Sequence, residues 1–240
     1  MTFLAPTFAQ FIAAAPIGVV LSHEEREAML ALSVSPRHYR PHTPISRQGD
    51  VEPRVFFIQS GWACVYRDLP SGDRQIIDVP LKGDVIGIRA ALGPNYNSLG
   101  SITDLSVYEI SRSVLTKAVQ QMPVLSRFFM RVSARQYAIV TEHLTNTGRR
   151  NAMIRTAHYL QELGARLAAI GEGNENGYEC PLTQHELADV LGLTAIHVNR
   201  TLRELRENEL VSFRAGVVEF LNRQKLSRLT SFDGDYLRMN

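Results

Sequence analysis

The chain has 240 residues, 45% of them hydrophobic, which suffices for one large or two ordinary domains with cores of their own and excludes a disordered or fibrous chain. Lys and Arg number 26 against 24 Asp and Glu, so the net charge of +2 nominates no partner, and any nucleic-acid surface must be a local concentration of basic groups. Cys64 and Cys180 lie far apart without a CxxC spacing; this excludes a disulfide framework and a four-thiolate metal centre within one chain, and it fits a reducing cytoplasm.

The stretch from Met1 to Leu21 is apolar, but no basic residue precedes it and Pro6 and Pro16 interrupt it, so it reads as neither signal peptide nor membrane anchor. Ser22 stands three residues before Glu25 at the head of the apolar run Ala28, Met29, Leu30, Leu32, the pattern of a capping box that opens a helix. From about Pro41 to Ile110 the chain changes to short β-rich runs separated by turn residues, at Val55 to Ile58, Ala63 to Tyr66, Gln75 to Val79, Val85 to Ile88 and Leu105 to Ile110. Strands at that spacing predict a barrel or roll.

Pro123 to Thr147 has no internal Gly or Pro and predicts one long helix. Its apolar residues Leu125, Phe129, Val132, Ile139 and Leu144 either pack on the chain's own roll or pair the helix with its twin in a second copy. Gly148, Arg149 and Arg150 read as a break and hinge. A further helix from Asn151 to Ile170 then leads to the polar, glycine-rich loop Gly171 to Gly177, and His143 on the long helix reads as a surface or interface residue.

Thr183-Gln-His-Glu186 is a second capping box, opening a helix from Thr183 to Val190. Leu191-Gly192-Leu193 is a tight turn, and Thr194 caps a second helix running to about Asn208. Two short helices around a glycine turn form a helix-turn-helix; behind them Leu210 to Phe213, the turn Arg214-Ala-Gly216 and Val217 to Phe220 make a hairpin, hence a winged module. On a 100° wheel Val198, Leu202 and Leu205 share the apolar face, and Ile196, Asn199, Arg200 and Arg203 lie opposite, with His197 at the flank. Taken alone this is an amphipathic surface helix. With both caps, the turn and the wing, it is a base-reading helix for double-stranded DNA.

The run Leu182-Thr-Gln-His-Glu-Leu-Ala-Asp-Val-Leu-Gly-Leu-Thr-Ala-Ile-His-Val-Asn-Arg-Thr-Leu-Arg-Glu-Leu205 resembles the DNA-binding end of the Crp/Fnr family of bacterial transcription regulators. Val55-Phe-Phe-Ile-Gln-Ser-Gly-Trp-Ala63 and Gly83-Asp-Val-Ile-Gly87 are similar to that family's β-roll, and Pro123 to Thr147 stands where the family has its dimerisation helix. The resemblance implies an α+β chain: a jelly-roll-like sensor over 1–122 of the cyclic-nucleotide-binding type, a dimerisation helix over 123–147 and a winged helix-turn-helix over 148–240. It further implies a homodimer on a palindromic operator, with Thr183 and Thr194 at the DNA backbone, Gln184 a further DNA-binding residue, Ile196, Asn199 and Arg200 facing bases, and RNA polymerase as a further partner. His197 and Arg203 are expected to contact the backbone. Ala195 and Ile196 depart from the Arg-Glu pair that some members carry.

In members that bind cyclic nucleotides, the Gly-Asp-x-Ile-Gly stretch is followed by a glutamate for the ribose and, further on, an arginine beside a serine or threonine for the phosphate. Here Ile88 replaces the glutamate and Pro94 to Leu99 holds no arginine, so cyclic AMP is not expected as effector. Gly83, Gly87, Ile88, Arg89 and Ser98 are the candidate effector residues, with Arg89 as the nearby cation. No metal or cofactor is expected: His38 and His42 are flanked by Pro36 and Pro41, and the predicted strands from Gln48 to Ile110 lack the histidines of a cupin-like metal enzyme. The alternatives are that enzyme and a ligand-independent DNA-binding protein.

Overall fold

The computed structural model describes residues 8–14, 22–31, 34–51, 54–91 and 94–238. Most of the stretch Met1 to Leu21, and the side chains of the run Ala28, Met29, Leu30, Leu32, lie outside the described residues. Contacts divide the chain into two units, Met1–Arg67 with Val79–Ala134 and Asp68–Asp78 with Arg135–Asn240.

The first unit begins with α1 (Phe8–Ala14) and α2 (His23–Ala31). The expected capping box opens α2: the Glu25 amide donates to Ser22 Oγ at 3.2 Å, and the Ser22 amide donates to Glu25 Oε2 at 2.9 Å. Strands β1 (Pro36–Tyr39), β2 (Pro44–Ser46), β3 (Arg54–Ser60) and β4 (Ala63–Asp68) come next, the last residue of β4 belonging to the second unit. The second unit also takes β5 (Arg74–Asp78), and the first resumes with β6 (Val85–Ile86), β7 (Ser98–Ser101) and β8 (Leu105–Ser111). One sheet runs β1-β8-β3-β6, and in the other β2, β7 and β4 are neighbours in that order. Val55 to Ile58 is buried without interruption because both faces of β3 are covered. Phe56 and Ile58 enter the core of the roll with Ala63, Ile86, Leu99, Leu105 and Val107. On the opposite face Phe57 meets Phe8 and Phe11, ring centroids 4.9 and 6.1 Å away. Gly61, between β3 and β4, has φ +88°, and a Cβ there would lie 2.1 Å from the Asp104 carbonyl oxygen.

Helix α3 (Arg112–Gln121) closes the roll, and α4 (Pro123–Arg149) follows. The break expected over Gly148, Arg149 and Arg150 falls at its end: α4 runs through Gly148 to Arg149, and Asn151 caps α5 (Ala152–Ala169), its side chain accepting from the Ile154 amide at 3.0 Å. Arg155 fastens this corner. Its guanidinium donates to the Thr147 carbonyl at 2.7 Å, to that of Arg150 at 3.2 Å and to that of Leu191 at 2.9 Å, while Asn146 Nδ2 donates to the Arg155 carbonyl at 3.1 Å.

The rest of the second unit is β9 (Gly173–Asn174), β10 (Gly177–Glu179), α6 (Gln184–Leu191), α7 (Ala195–Glu207), β11 (Val211–Arg214), β12 (Val217–Phe220), α8 (Arg223–Thr230) and a 3₁₀ turn, Gly234–Leu237. The glycine-rich segment 171–177, read as a loop, holds strand at Gly173, Asn174 and Gly177 and turns between them: β9 and β10 extend the hairpin into a sheet ordered β11-β12-β10-β9.

A buried polar cluster joins the elements of this unit. Glu162 is fully buried; its carboxylate lies 2.9 Å from His143 Nε2, 3.7 Å from Arg166 Nη1 and 2.7 Å from the Tyr236 hydroxyl that donates to it. Arg166 also pairs with Asp78 at 2.9 Å, and His143 Nδ1 faces the Ile77 carbonyl at 3.2 Å. His143, expected at the surface or an interface, is instead only 17% exposed, and both of its ring nitrogens are committed within this unit. A carbonyl and a carboxylate can only accept, so both nitrogens donate and the ring is charged. Burial alone would raise the Glu162 pKa, but His143, Arg166 and Tyr236 hold it down at about 2. Burial likewise opposes the charge on His143, and Glu162 outweighs it, so that pKa is raised.

Candidate nucleic-acid interface

Helix α6 begins where its sequence says it should. Thr183 Oγ1 accepts from the Glu186 amide at 3.2 Å, and Glu186 Oε2 accepts from the Thr183 amide at 2.9 Å. The helix ends at Gly192, left-handed at φ +62°, which turns the chain within two residues into Thr194, the cap of α7. Thr194 Oγ1 accepts from the His197 amide at 3.3 Å.

Val198, Leu202 and Leu205 are buried, and so α7 is held by one face. The other face is open: Thr183, Gln184, Thr194, Ile196, His197, Asn199, Arg200 and Arg203 are all exposed. Ile196 is 81% exposed, although a large aliphatic side chain gains nothing from water. Arg203 Nε stands 3.6 Å from Glu207, an exposed pair that offsets part of its charge, whereas Arg200 has no carboxylate partner among the described residues. One feature of this face is not legible in the sequence. Asn199 Nδ2 donates to Gln184 Oε1 at 3.2 Å, linking α6 to α7 on the exposed side. At the tip of the β11–β12 hairpin, Arg214 is exposed beside Ala215 (φ +48°) and Gly216 (φ +76°).

In the first unit, Gly83 and Gly87 have φ of +89° and +83°, and a Cβ on Gly87 would lie 2.5 Å from the Arg54 carbonyl oxygen. Ile88 opens a short 3₁₀ turn, half-buried. Ser98 is buried and already accepts from the Gln48 amide at 3.1 Å. Arg89 is exposed, its guanidinium carbon 4.5 Å from the centre of the Tyr96 ring, and Arg67 lies at the same distance and donates to the Tyr96 hydroxyl at 3.2 Å. A second cation therefore stands near Arg89, supplied by β4, where no local motif could announce it.

The five α4 residues expected at a dimer interface do not share one surface. Leu125, Val132 and Ile139 are buried within the chain, and Phe129 is half-buried with its ring 6.1 Å from that of Phe57; only Leu144 is exposed, at 73%. The exposed apolar residues are Met130, Tyr137, Val140 and Leu144. Two seven-residue series, 125-132-139 and 130-137-144, run along the helix roughly 140° apart at about 100° per residue, and the sequence reading merged them.

Comparison with known proteins agrees with both units. Residues 36–122 match the model of the cyclic nucleotide-binding domain, and residues 154–229 match that of the Crp-like helix-turn-helix domain. The chain belongs to the Crp/Fnr family of transcription regulators. It is 29% identical to the transcriptional activatory protein AadR of Rhodopseudomonas palustris over 87% of this chain and 85% of AadR. It is 24% identical to the nitrogen fixation regulation protein FixK of Bradyrhizobium diazoefficiens over 81% of each. The structure of FixK2 from Bradyrhizobium japonicum superposes with a TM-score of 0.74 at 28% identity, covering 83% of this chain and 98% of that one. Crp/Fnr proteins are regulators and not enzymes, and they bind DNA and act as dimers. No described helix of this Crp/Fnr member is long and apolar enough to cross a membrane. Ile88 carries no acceptor for a ribose hydroxyl, and Ser98, which accepts from the Gln48 amide, keeps its own O–H donor.

Proposed function

We propose that the protein is a homodimeric regulator that pairs through the outer face of α4 and places two copies of α7 in successive major grooves of a palindromic operator. The observation that carries this reading is the exposed face Ile196, Asn199, Arg200 and Arg203 behind a doubly capped helix-turn-helix. The second copy is the occupant that the spacing of Met130, Tyr137, Val140 and Leu144 fits, a heptad seam on a family that acts in pairs. Selection of bound DNA from a random pool by the purified full-length protein tests it. Half-sites related by a two-fold axis and centred about 10 base pairs apart, or a multiple of that, are expected. Absence of enrichment, or a single asymmetric site, overturns it.

Within each half-site Arg200 is placed to donate a bidentate pair to guanine, and Ile196, without donor or acceptor, offers apolar contact to a thymine methyl. Thr183, Thr194, His197 and Arg203 address the backbone. Arg200→Ala is expected to cost about 1–3 kcal/mol of binding and to erase one guanine from the selected sequence, whereas Arg203→Ala weakens all sequences alike and lowers the salt slope by about one per subunit. An unchanged selected sequence for Arg200→Ala, with a changed one for Arg203→Ala, would show α7 rotated from this orientation.

The roll takes an effector other than cyclic AMP, or serves as a scaffold without one; the protein works in the cytoplasm and, when it activates, contacts RNA polymerase. Calorimetric titration with cyclic AMP and cyclic GMP is expected to show no micromolar binding. Micromolar heat that vanishes in Arg89→Ala would reverse this.

A further inference from the structure

The hydrogen bond between α6 and α7 bears on which bases are read. An asparagine amide has two N–H donors and a carbonyl acceptor with two lone pairs. Asn199 spends one N–H on Gln184 Oε1 at 3.2 Å, and neither its Oδ1 nor Gln184 Nε2 has a partner among the described residues. What Asn199 retains is one donor and one acceptor, the pair that adenine demands on its major-groove edge: a donor for N7 and an acceptor for the N6 amino group. In an amide that pair shares one edge of the group, so a neighbour can take the remaining proton without disturbing it.

An unsupported Asn199 on an exposed face could turn about its terminal torsion, exchanging donor and acceptor. It would then read adenine in one orientation and present a mismatched edge in the other. In the free protein the two amides can turn over together, the bond then running from Gln184 Nε2 to Asn199 Oδ1; once a DNA phosphate takes the Gln184 N–H groups, its Oε1 is left facing Asn199, and turning Asn199 over would set two carbonyl oxygens face to face. The backbone of Gln184 is held at the first turn of α6, directly after the Thr183 cap, and its two N–H groups have no acceptor among the described residues. They are available to a phosphate oxygen at the same helix start.

We propose that Gln184 is a positioning residue for base recognition, holding the Asn199 amide in the orientation that selects adenine in each half-site. This rests on the α7 reading proposed above and adds to it a residue that acts through another. A lone Asn199 could equally hold a phosphate. The pairing with Gln184 is what commits it to a base.

The experiment is the selection of bound DNA by the full-length dimer, followed by affinity measurement on half-sites that differ only at the selected adenine, for the wild type and for Asn199→Ala, Gln184→Ala, Gln184→Glu and Gln184→Lys. The wild type is expected to prefer adenine at one position by about tenfold. Asn199→Ala and Gln184→Ala should each level that position while leaving the Arg200 guanine selected, which also shows that the variants fold. Gln184→Glu keeps an acceptor for Asn199 Nδ2, so it should restore the adenine preference even though its charge weakens binding to every sequence. Gln184→Lys offers only donors and should not restore it. Adenine selected equally by Gln184→Ala and the wild type, or no adenine selected by the wild type, overturns the assignment of Gln184. A selected sequence indifferent to Arg200→Ala overturns the underlying orientation of α7 instead, so the two failures are told apart.

Discussion

Glu162→Ala is expected to destabilise the protein by about 3–5 kcal/mol, because it leaves the charges of His143 and Arg166 in a buried site without the carboxylate they share. Chemical denaturation read by circular dichroism measures it, and a loss under 1 kcal/mol would mean that water reaches the cluster. The same groups set the dependence on pH. Glu162, held at about 2, contributes stability that is present above its ordinary value of 4.5 and is lost as pH falls towards 2. Burial, with Arg150 nearby, lowers His158 to about 4 from an ordinary 6.5. The unfolded chain therefore binds a proton there that the fold refuses, and stability falls as pH drops through that window. His143 has the opposite sign: its contribution is complete below 6.5 and disappears as pH rises through its raised value. A stability maximum between the two limbs is expected. His143→Gln, which keeps hydrogen bonds and loses the charge, should remove the alkaline limb and shrink the part of the acid limb that Glu162 contributes, leaving the part set by His158.

Tyr137→Asp is expected to turn the dimer into a monomer at micromolar concentration and to lower operator affinity about a hundredfold, equivalent to about 2.7 kcal/mol. Tyr137 is 76% exposed on α4, midway between Met130 and Leu144, so the folded chain loses little and a helix pair would hold two carboxylates at its centre. Light scattering and a melting curve read the two effects separately. A wild-type chain that is monomeric under those conditions would contradict the seam. A Tyr137→Asp chain that stays dimeric would place it elsewhere.

Local chemistry was legible. The two capping boxes at Ser22 and Thr183, the left-handed Gly192 and the apolar face of α7 were written in short spacings, and each forms as its spacing requires. What escaped depends on partners distant in sequence. Strand β7, Ser98 to Ser101, is small, polar and contains a glycine, yet all four residues are buried. Gly100 permits it, with the position of a Cβ only 3.5–3.6 Å from the Thr43 carbonyl oxygen, Cys64 Sγ and the Tyr66 ring. The two faces of α4 differ by a rotation that periodicity cannot assign to core or solvent, since both carry apolar residues every seventh position. His143 on that helix was read as surface for the same reason: only the fold brings Glu162 and the Ile77 carbonyl to it.

The corner held by Arg155 gives the proposed dimer a fixed gauge. One guanidinium grips the carbonyls of Thr147 and Arg150 at the end of α4 and that of Leu191 at the end of α6, so the reading head has no slack relative to the last turns of the helix that carries it. A base pair inserted between half-sites rotates one of them by roughly 35° about the duplex axis, given about 10 base pairs per turn. A jointed arm would swing to follow. This one must twist the DNA or let go of a half-site, and the tolerance for spacer length becomes a measure of the stiffness of a single arginine's three hydrogen bonds.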